Sequence, residues 1–215
     1  MKKIISLILA LVLAASFAAC ARQAGNDENT TDAGESTSLS AEEAEQALAK
    51  VGSAEAKDKT GIAIAHGTQE GTVYENSTLG IKITPPESFE SFAEEGEVQN
   101  PNNDYFVIEL TENHDSVAYK TVKISVTENV PYGSSEDYIA YINTSMDSLT
   151  ALNAVGAVNI GGREYTCAKW DYADSDEANS VDYILVENGT LVILGFDQFT
   201  DSKITDFFAN YIEQY

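Results

Sequence analysis

Basic residues are scarce in this chain. Twelve lysines and arginines stand against 35 aspartates and glutamates, a formal charge of −23 over 215 residues. Nucleic acid is excluded as a partner, because phosphate binding needs a basic footprint. Flat docking on an anionic bilayer is disfavoured for the same reason. Histidine is nearly absent too. His66 and His114 lie in loop-like stretches, "AIAHGTQ" and "TENHDSV". A Ser-His-Asp site needs a histidine beside a serine on a rigid element, and no G-x-S-x-G stretch occurs. Zinc needs closely spaced histidine and cysteine ligands, which this chain does not supply. Gly161-Gly162 reads as a turn and not as a phosphate cradle, since no lysine-serine pair follows and no helix opens there.

Cysteine occurs twice, at positions 20 and 167. Cys167 sits in the strand-like "REYTCAKWDY" and is expected to be a buried, inert thiol. Cys20 stands at the end of the chain's one long apolar run. Met1, Lys2 and Lys3 form a short positive start, and "IISLILALVLAASFAA" follows with no charge. A basic start, an apolar middle and small residues before a cut make a secretory signal. The run is shorter than the ~20 residues a membrane span needs.

Phe17-Ala18-Ala19-Cys20 resembles the lipobox of bacterial lipoproteins, with Phe17 where an aliphatic residue is usual. The resemblance implies cleavage between Ala19 and Cys20 and a diacylglyceryl group on the Cys20 sulfur. Two acyl chains make a durable anchor, since each buried methylene contributes about 0.8 kcal/mol. The expected location is the outer face of a cell membrane, in the bacterial cell envelope. Loss of residues 1–19 removes two lysines and no acid, so the processed chain carries −25.

Residues 20–71 read as an acidic, small-residue tether. "ARQAGNDENTTDAGESTS" cannot bury enough apolar surface to fold. "LSAEEAEQALAKVG" predicts a short helix over 40–51, with Ser40 and Glu43 at capping-box spacing. Its stripe of Ala44, Ala47, Leu48 and Val51 is mostly alanine, so the expectation is a frayed helix on the leash and not one docked on the body. An edge strand is expected at Ile62 to Ala65. As a coil of about 50 residues the tether would span roughly 40 Å.

From Thr72 the texture becomes that of a globular domain, 72–215. "VYENSTLGIKITPP" predicts two short strands, and "ESFESFAEEG" a helical turn anchored by Phe89 and Phe92. "DYFVIELTEN" places Phe106, Ile108 and Leu110 on one face by alternation. "VAYKTVKISVTEN" places Val122, Ile124 and Val126 inward, with Lys123 and Ser125 outward. "SSEDYIAYINTSMDSLTALNA" switches to helical spacing after capping serines. "GAVNIGGREYTCAKWDYA" is a strand, a Gly161-Gly162 turn and a second strand. "DYILV" and "LVILGF" flank Asn188-Gly189 and are apolar on both faces, the mark of central strands covered on both sides. "DSKITDFFANYIEQY" predicts a closing helix whose stripe runs from Ile204 to Tyr215.

The sum is an α+β fold, a mostly antiparallel sheet with helices packed on it. Tyr74-x-Asn76, Gly80-Ile81-x-Ile83-x-x-Pro86, the single mid-chain helix, the strand meander and the closing helix together resemble the PsbP-like α/β/α sandwich. That fold is shared by extrinsic photosystem proteins, a nuclear Ran-binding factor and many bacterial envelope lipoproteins. It implies no functional residue, because its members bind different partners.

No catalytic constellation emerges. The functional expectation is a non-enzymatic module that binds a protein, peptide or envelope component, with an apolar or aromatic surface patch near 400 Å². The alternative is a divalent-cation protein. Asp171, Asp174, Asp176 and Glu177 in "DYADSDEANSVD" could offer oxygens to calcium, although the EF-hand pattern fails. An enzyme is the third reading and would need convergent polar groups with shifted acidities. Tyr119, Tyr165, Tyr172 and Tyr183 are expected to be half-buried sheet residues under helices.

Overall fold

The computed structural model describes Leu48, Val51 and residues 57–98, 103–112, 119–146, 150–172 and 180–215. Among the described residues from 57 onward, eleven strands and two helices follow in order: β1 (Thr68–Glu70), β2 (Val73–Asn76), β3 (Ile81–Ile83), β4 (Phe89–Val98), β5 (Asn103–Glu112), β6 (Lys120–Thr127), α1 (Ser135–Ser145), β7 (Thr150–Ile160), β8 (Arg163–Tyr172), β9 (Ser180–Glu187), β10 (Thr190–Asp197), α2 (Asp201–Tyr211) and β11 (Ile212–Gln214). Seven strands make the main sheet in the order β4-β5-β6-β10-β9-β8-β7. Four short ones make a second sheet, β1-β2-β3-β11. Every ladder is antiparallel.

The doubly apolar strands take the centre, as their sequences require. β10 lies in the middle of the main sheet between β6 and β9. Its even-numbered residues Val192, Leu194 and Phe196 join Phe106, Ile108, Leu110, Val122, Ile124 and Val126 in the larger core, capped by Ile204, Phe207 and Phe208 of α2. The small sheet covers the same side, through Tyr74, Leu79, Ile81 and Ile83. On the other side Ile193, Leu191 and Ile184 meet Tyr138, Ile139 and Ile142 of α1. Two helices therefore sandwich one sheet. Burying each Leu, Ile or Phe in such a core contributes about 1.5–3 kcal/mol.

α1 is fixed at its start by two serines with different tasks. Ser134 caps the helix by accepting from the Asp137 amide at 3.2 Å. Ser135 is buried and donates to the Ile184 carbonyl at 3.0 Å, which pins the first turn to β9.

Several expectations change. The stretch 87–96 is not a helical turn: β4 pairs with β5 over ten residues, from Phe89↔Glu112 to Val98↔Asn103, and sheet pairing overrides local propensity. The closing helix stops at Tyr211, and Ile212–Gln214 instead pairs with β3. The early strand lies at Thr68–Glu70, not at Ile62 to Ala65. Ser125 does face away from the larger core, yet it is buried at 3% exposure.

The body also takes in residues from the stretch read as a leash. Leu48 is fully buried and Val51 is 4% exposed, both within the larger core. The body also begins before Thr72. The Lys59 amide donates to the Gly162 carbonyl at 3.1 Å, and the buried Arg163 reaches back with Nη2 to the Ile62 carbonyl at 2.6 Å and Nε to the Thr78 carbonyl at 3.2 Å. Arg163 also pairs with Glu187.

Candidate functional site on the face covered by α1

The main sheet carries a polar strip on its α1 side. Register places Glu109 of β5 opposite Lys123 of β6, Lys123 opposite Gly195 of β10, Gly195 opposite Asp182 of β9, and Asp182 opposite Ala168 of β8. In the adjoining row Thr111 faces Thr121, Thr121 faces Asp197, and Asp197 faces Ser180. Alternation sends these side chains away from the larger core. All stand on paired strands, which fixes them better than loops would.

Four contacts organise the strip. Lys123 Nζ lies 3.1 Å from Glu109 Oε1, with the lysine side chain 14% exposed and the glutamate 36%. Trp170 Nε1 donates to Asp182 Oδ2 at 2.8 Å. Ser180 donates to Asp197 Oδ1. The Thr111 and Thr121 hydroxyls lie 3.3 Å apart. Trp170 and Tyr172 stack alongside, with centroids 6.2 Å apart and 18° between planes.

Electrostatics follow from this setting. Burial pushes the Asp182 carboxyl up to about 6. The Trp170 hydrogen bond and the Lys123 charge oppose that rise, and the nearby Asp197 adds to it. Asp197 is raised as well, again chiefly by burial, against the Ser180 hydroxyl and the Gln198 amide. Burial lifts Tyr172 to about 12. The strip thus presents two carboxyl groups that are short of solvent and a lysine paired with Glu109, while the indole N–H is committed to Asp182. It can accept hydrogen bonds and hold a cationic or hydroxyl-bearing group. Ser180 is 4% exposed and its hydroxyl is engaged with Asp197, which leaves it poorly placed for a substrate carbonyl.

Of the residues singled out in the sequence, few meet here. Asp171 is exposed at the end of β8, while Asp174, Asp176 and Glu177 lie outside the described residues, as do Ala19, Cys20 and His114. Among the described residues no three His, Cys, Asp or Glu side chains converge to hold a metal ion. His66 lies on the opposite side of the sheet, stacked on Phe106 at 5.9 Å with Nε2 3.5 Å from Glu128 Oε1. Tyr165 and Tyr183 are buried under the larger core, Tyr172 borders the strip, and Tyr119 precedes β6 instead of lying on it. Cys167 is a fully buried free thiol, pushed up to about 12 by burial.

Tyr74 and Asn76 have structural work. The Asn76 amide donates to the Ala65 carbonyl at 2.7 Å and to Tyr74 Oη at 2.9 Å, and Tyr74 Oη donates to the His66 carbonyl at 2.8 Å. Asn76 Oδ1 accepts from the Thr78 and Leu79 amides, closing the turn into β3.

A solution structure of cyanobacterial PsbP (CyanoP) from Synechocystis sp. PCC 6803 is similar to this chain. The TM-score is 0.42 at 14% identity, over 72% of this chain and 96% of that one. No protein-family model matches the sequence, and no curated protein does. No helix among the described residues is long and apolar enough to cross a membrane.

The strip residues were missed from sequence, although a signal was present. Asp182 interrupts "SVDYILV" and Gly195 interrupts "LVILGF", and each break falls in a strand otherwise apolar on both faces. An acid and a glycine in such strands, brought opposite by the Asn188-Gly189 turn, mark a place where a carboxylate crosses a backbone. Among the described residues the large apolar side chains that stand exposed are Ile62, Phe92 and Tyr215.

Proposed function

We propose that this chain is a lipid-anchored, extracytoplasmic binding module that carries out no reaction of its own. Residues 1–19 direct export, acyl chains on Cys20 hold the chain to the membrane, and the sandwich engages a protein, peptide or other envelope component. The observation that supports binding is the strip. Asp182, Asp197, Lys123 and the Trp170 indole are held on four adjoining strands, partly open to solvent, in positions that a partner's polar groups could match. Shifted carboxyl groups on a rigid scaffold mark functional surfaces more often than random ones. Ser180, whose hydroxyl donates to Asp197 in the strip, is buried, so recognition fits the strip better than bond-making does.

The test uses the full chain expressed in a bacterium. Mass spectrometry of the membrane fraction should find the chain beginning at an acylated Cys20, and Cys20→Ser should shift it to the soluble fraction. Cross-linked material from the wild type should contain a partner that Lys123→Glu loses. An unmodified sulfur at position 20, or a partner list unchanged by Lys123→Glu, would overturn the corresponding half of the proposal.

A further inference from the structure

The two edges of the main sheet are built differently. β4 carries Glu90, Glu94, Glu95 and Glu97 within ten residues. Charge along an edge is a standard defence against unwanted pairing. β7, "TALNAVGAVNI", has eleven residues with no charge and no proline. Among the described residues it is an edge strand, laddered to β8 alone. Yet it is not open along its whole length. Asn143 of α1 donates from Nδ2 to the Leu152 carbonyl at 2.8 Å and accepts the Leu152 amide on Oδ1 at 2.7 Å. That reciprocal pair is what a residue on a neighbouring strand would make. Gln214 Oε1 closes the other end by accepting the Gly161 amide at 2.9 Å. A register shift at Ala154/Gly156 separates the plugged part from the rest. Between the two plugs runs Gly156–Ile160, about the length of an average strand.

We propose that Gly156–Ile160 of β7 takes an extended, lysine- or arginine-bearing segment of a partner protein as an added strand. The inference rests on the reading of the chain as a binding module, but not on the strip. Strand addition draws affinity from main-chain hydrogen bonds and specificity from the alternating side chains. The charge of the surroundings selects the sign of the partner. Glu164 is exposed on β8 opposite Asn159, within the free stretch, and Asp171 is exposed opposite Ala151, beyond the plugged Leu152. The cations of β8 are already engaged, Arg163 with Glu187 and Lys169 with Asp201. An added strand would lie about 10 Å from β8, within reach of its charges at low salt. A second copy of this chain brings the same −23 and is repelled. A basic segment is attracted.

The probe is a fluorescein-labelled heptapeptide, Lys-Thr-Val-Lys-Val-Thr-Lys, with its glutamate counterpart as control, titrated against the full chain in detergent at low salt. Anisotropy should show the basic peptide binding at least roughly tenfold more tightly than the acidic one. Ala157 is exposed on the free stretch, so Ala157→Lys adds a repulsive charge to the edge without touching the core. It should weaken binding roughly tenfold, whereas Ala93→Lys on the exposed side of β4 should leave it within about twofold. Circular dichroism melts establish that both variants fold, and Asn159→Lys serves if Ala157→Lys does not. Amide exchange across 156–160 should slow when the basic peptide is added to the wild type. Equal affinity for the two peptides, indifference to Ala157→Lys, or light scattering that shows a wild-type dimer dissolved by that substitution would each overturn the proposal. A partner cross-linked to the wild type and retained by Ala157→Lys would sink the edge while leaving the binding module standing.

Discussion

The carboxylate of Asp182 lies across Gly195 of the neighbouring strand. A Cβ at position 195 would come 2.7 Å from Asp182 Oδ1, so the glycine is there to let the acid through. Gly195→Ala should push the carboxylate aside and cost about 1–3 kcal/mol, as overpacking does. Trp170 is the only tryptophan and donates to that carboxylate. Its emission should therefore shift in the folded variant, which separates displacement of Asp182 from a general loss of stability in a urea titration.

Asp182 should also shape the dependence of stability on pH. Its folded pKa is about 6 against an ordinary 3.8, so the native state holds this proton more tightly than the unfolded chain does. The contribution is fully present below about pH 4 and is lost as pH rises through 6. Its size is on the order of 2–3 kcal/mol. Asp182→Asn keeps an acceptor for the indole and removes the titration. Urea midpoints should become flatter between pH 4 and 6 and should rise at pH 7.5. A residual slope of the same sign is expected from Asp197, whose carboxyl is also raised by burial.

Leu48→Ala should destabilise the body by about 2–5 kcal/mol, the range for emptying a buried leucine site. Leu48 is fully buried in the larger core, far from Thr72, where the sequence suggests the domain begins. A protein truncated to start at Thr72 should melt lower than one that starts before Leu48. Equal melting temperatures would return residues 48–71 to the leash.

Arg163→Ala removes the partner of Glu187 and both reaches toward the 57–78 segment. Breaking a buried pair on one side costs about 3–5 kcal/mol. Limited trypsin digestion should then cut faster after Lys57 and Lys59 than in the wild type, before any cut in β8–β10. Gly162→Ala should act in the same direction. Its φ is +84°, and an added Cβ would overlap the Lys57 carbonyl oxygen.

Periodicity made the centre of the fold legible. Phe106, Ile108, Leu110, Val122, Ile124 and Val126 fall where alternation puts them, and the two apolar runs around Asn188-Gly189 become the middle of the sheet. β4 was not legible, because Phe89 and Phe92 are spaced as well for a helical turn as for an edge strand, and only pairing with β5 decides. Asp182 could be seen as an oddity in its strand but not as part of a site. Its neighbours Lys123 and Trp170 come from strands some 60 and 12 residues away, joined by register and not by spacing. Arg163 was passed over because an arginine after a glycine turn usually points to water; here the carbonyls of Ile62 and Thr78 and the carboxylate of Glu187 take it inside.

The fork of Arg163 gives the molecule a direction in which it is strong. A pull delivered from the amino-terminal side meets the body first at Leu48 and Val51 in the larger core, and next at Lys59 and Ile62, which are clipped to the hairpin tip between β7 and β8. Once that apolar hold gives, tension falls on the clip and the Lys59–Gly162 bond, and only then on the ladder. Load from that side is therefore taken by two holds in series, one apolar and one polar, before it reaches the sandwich itself.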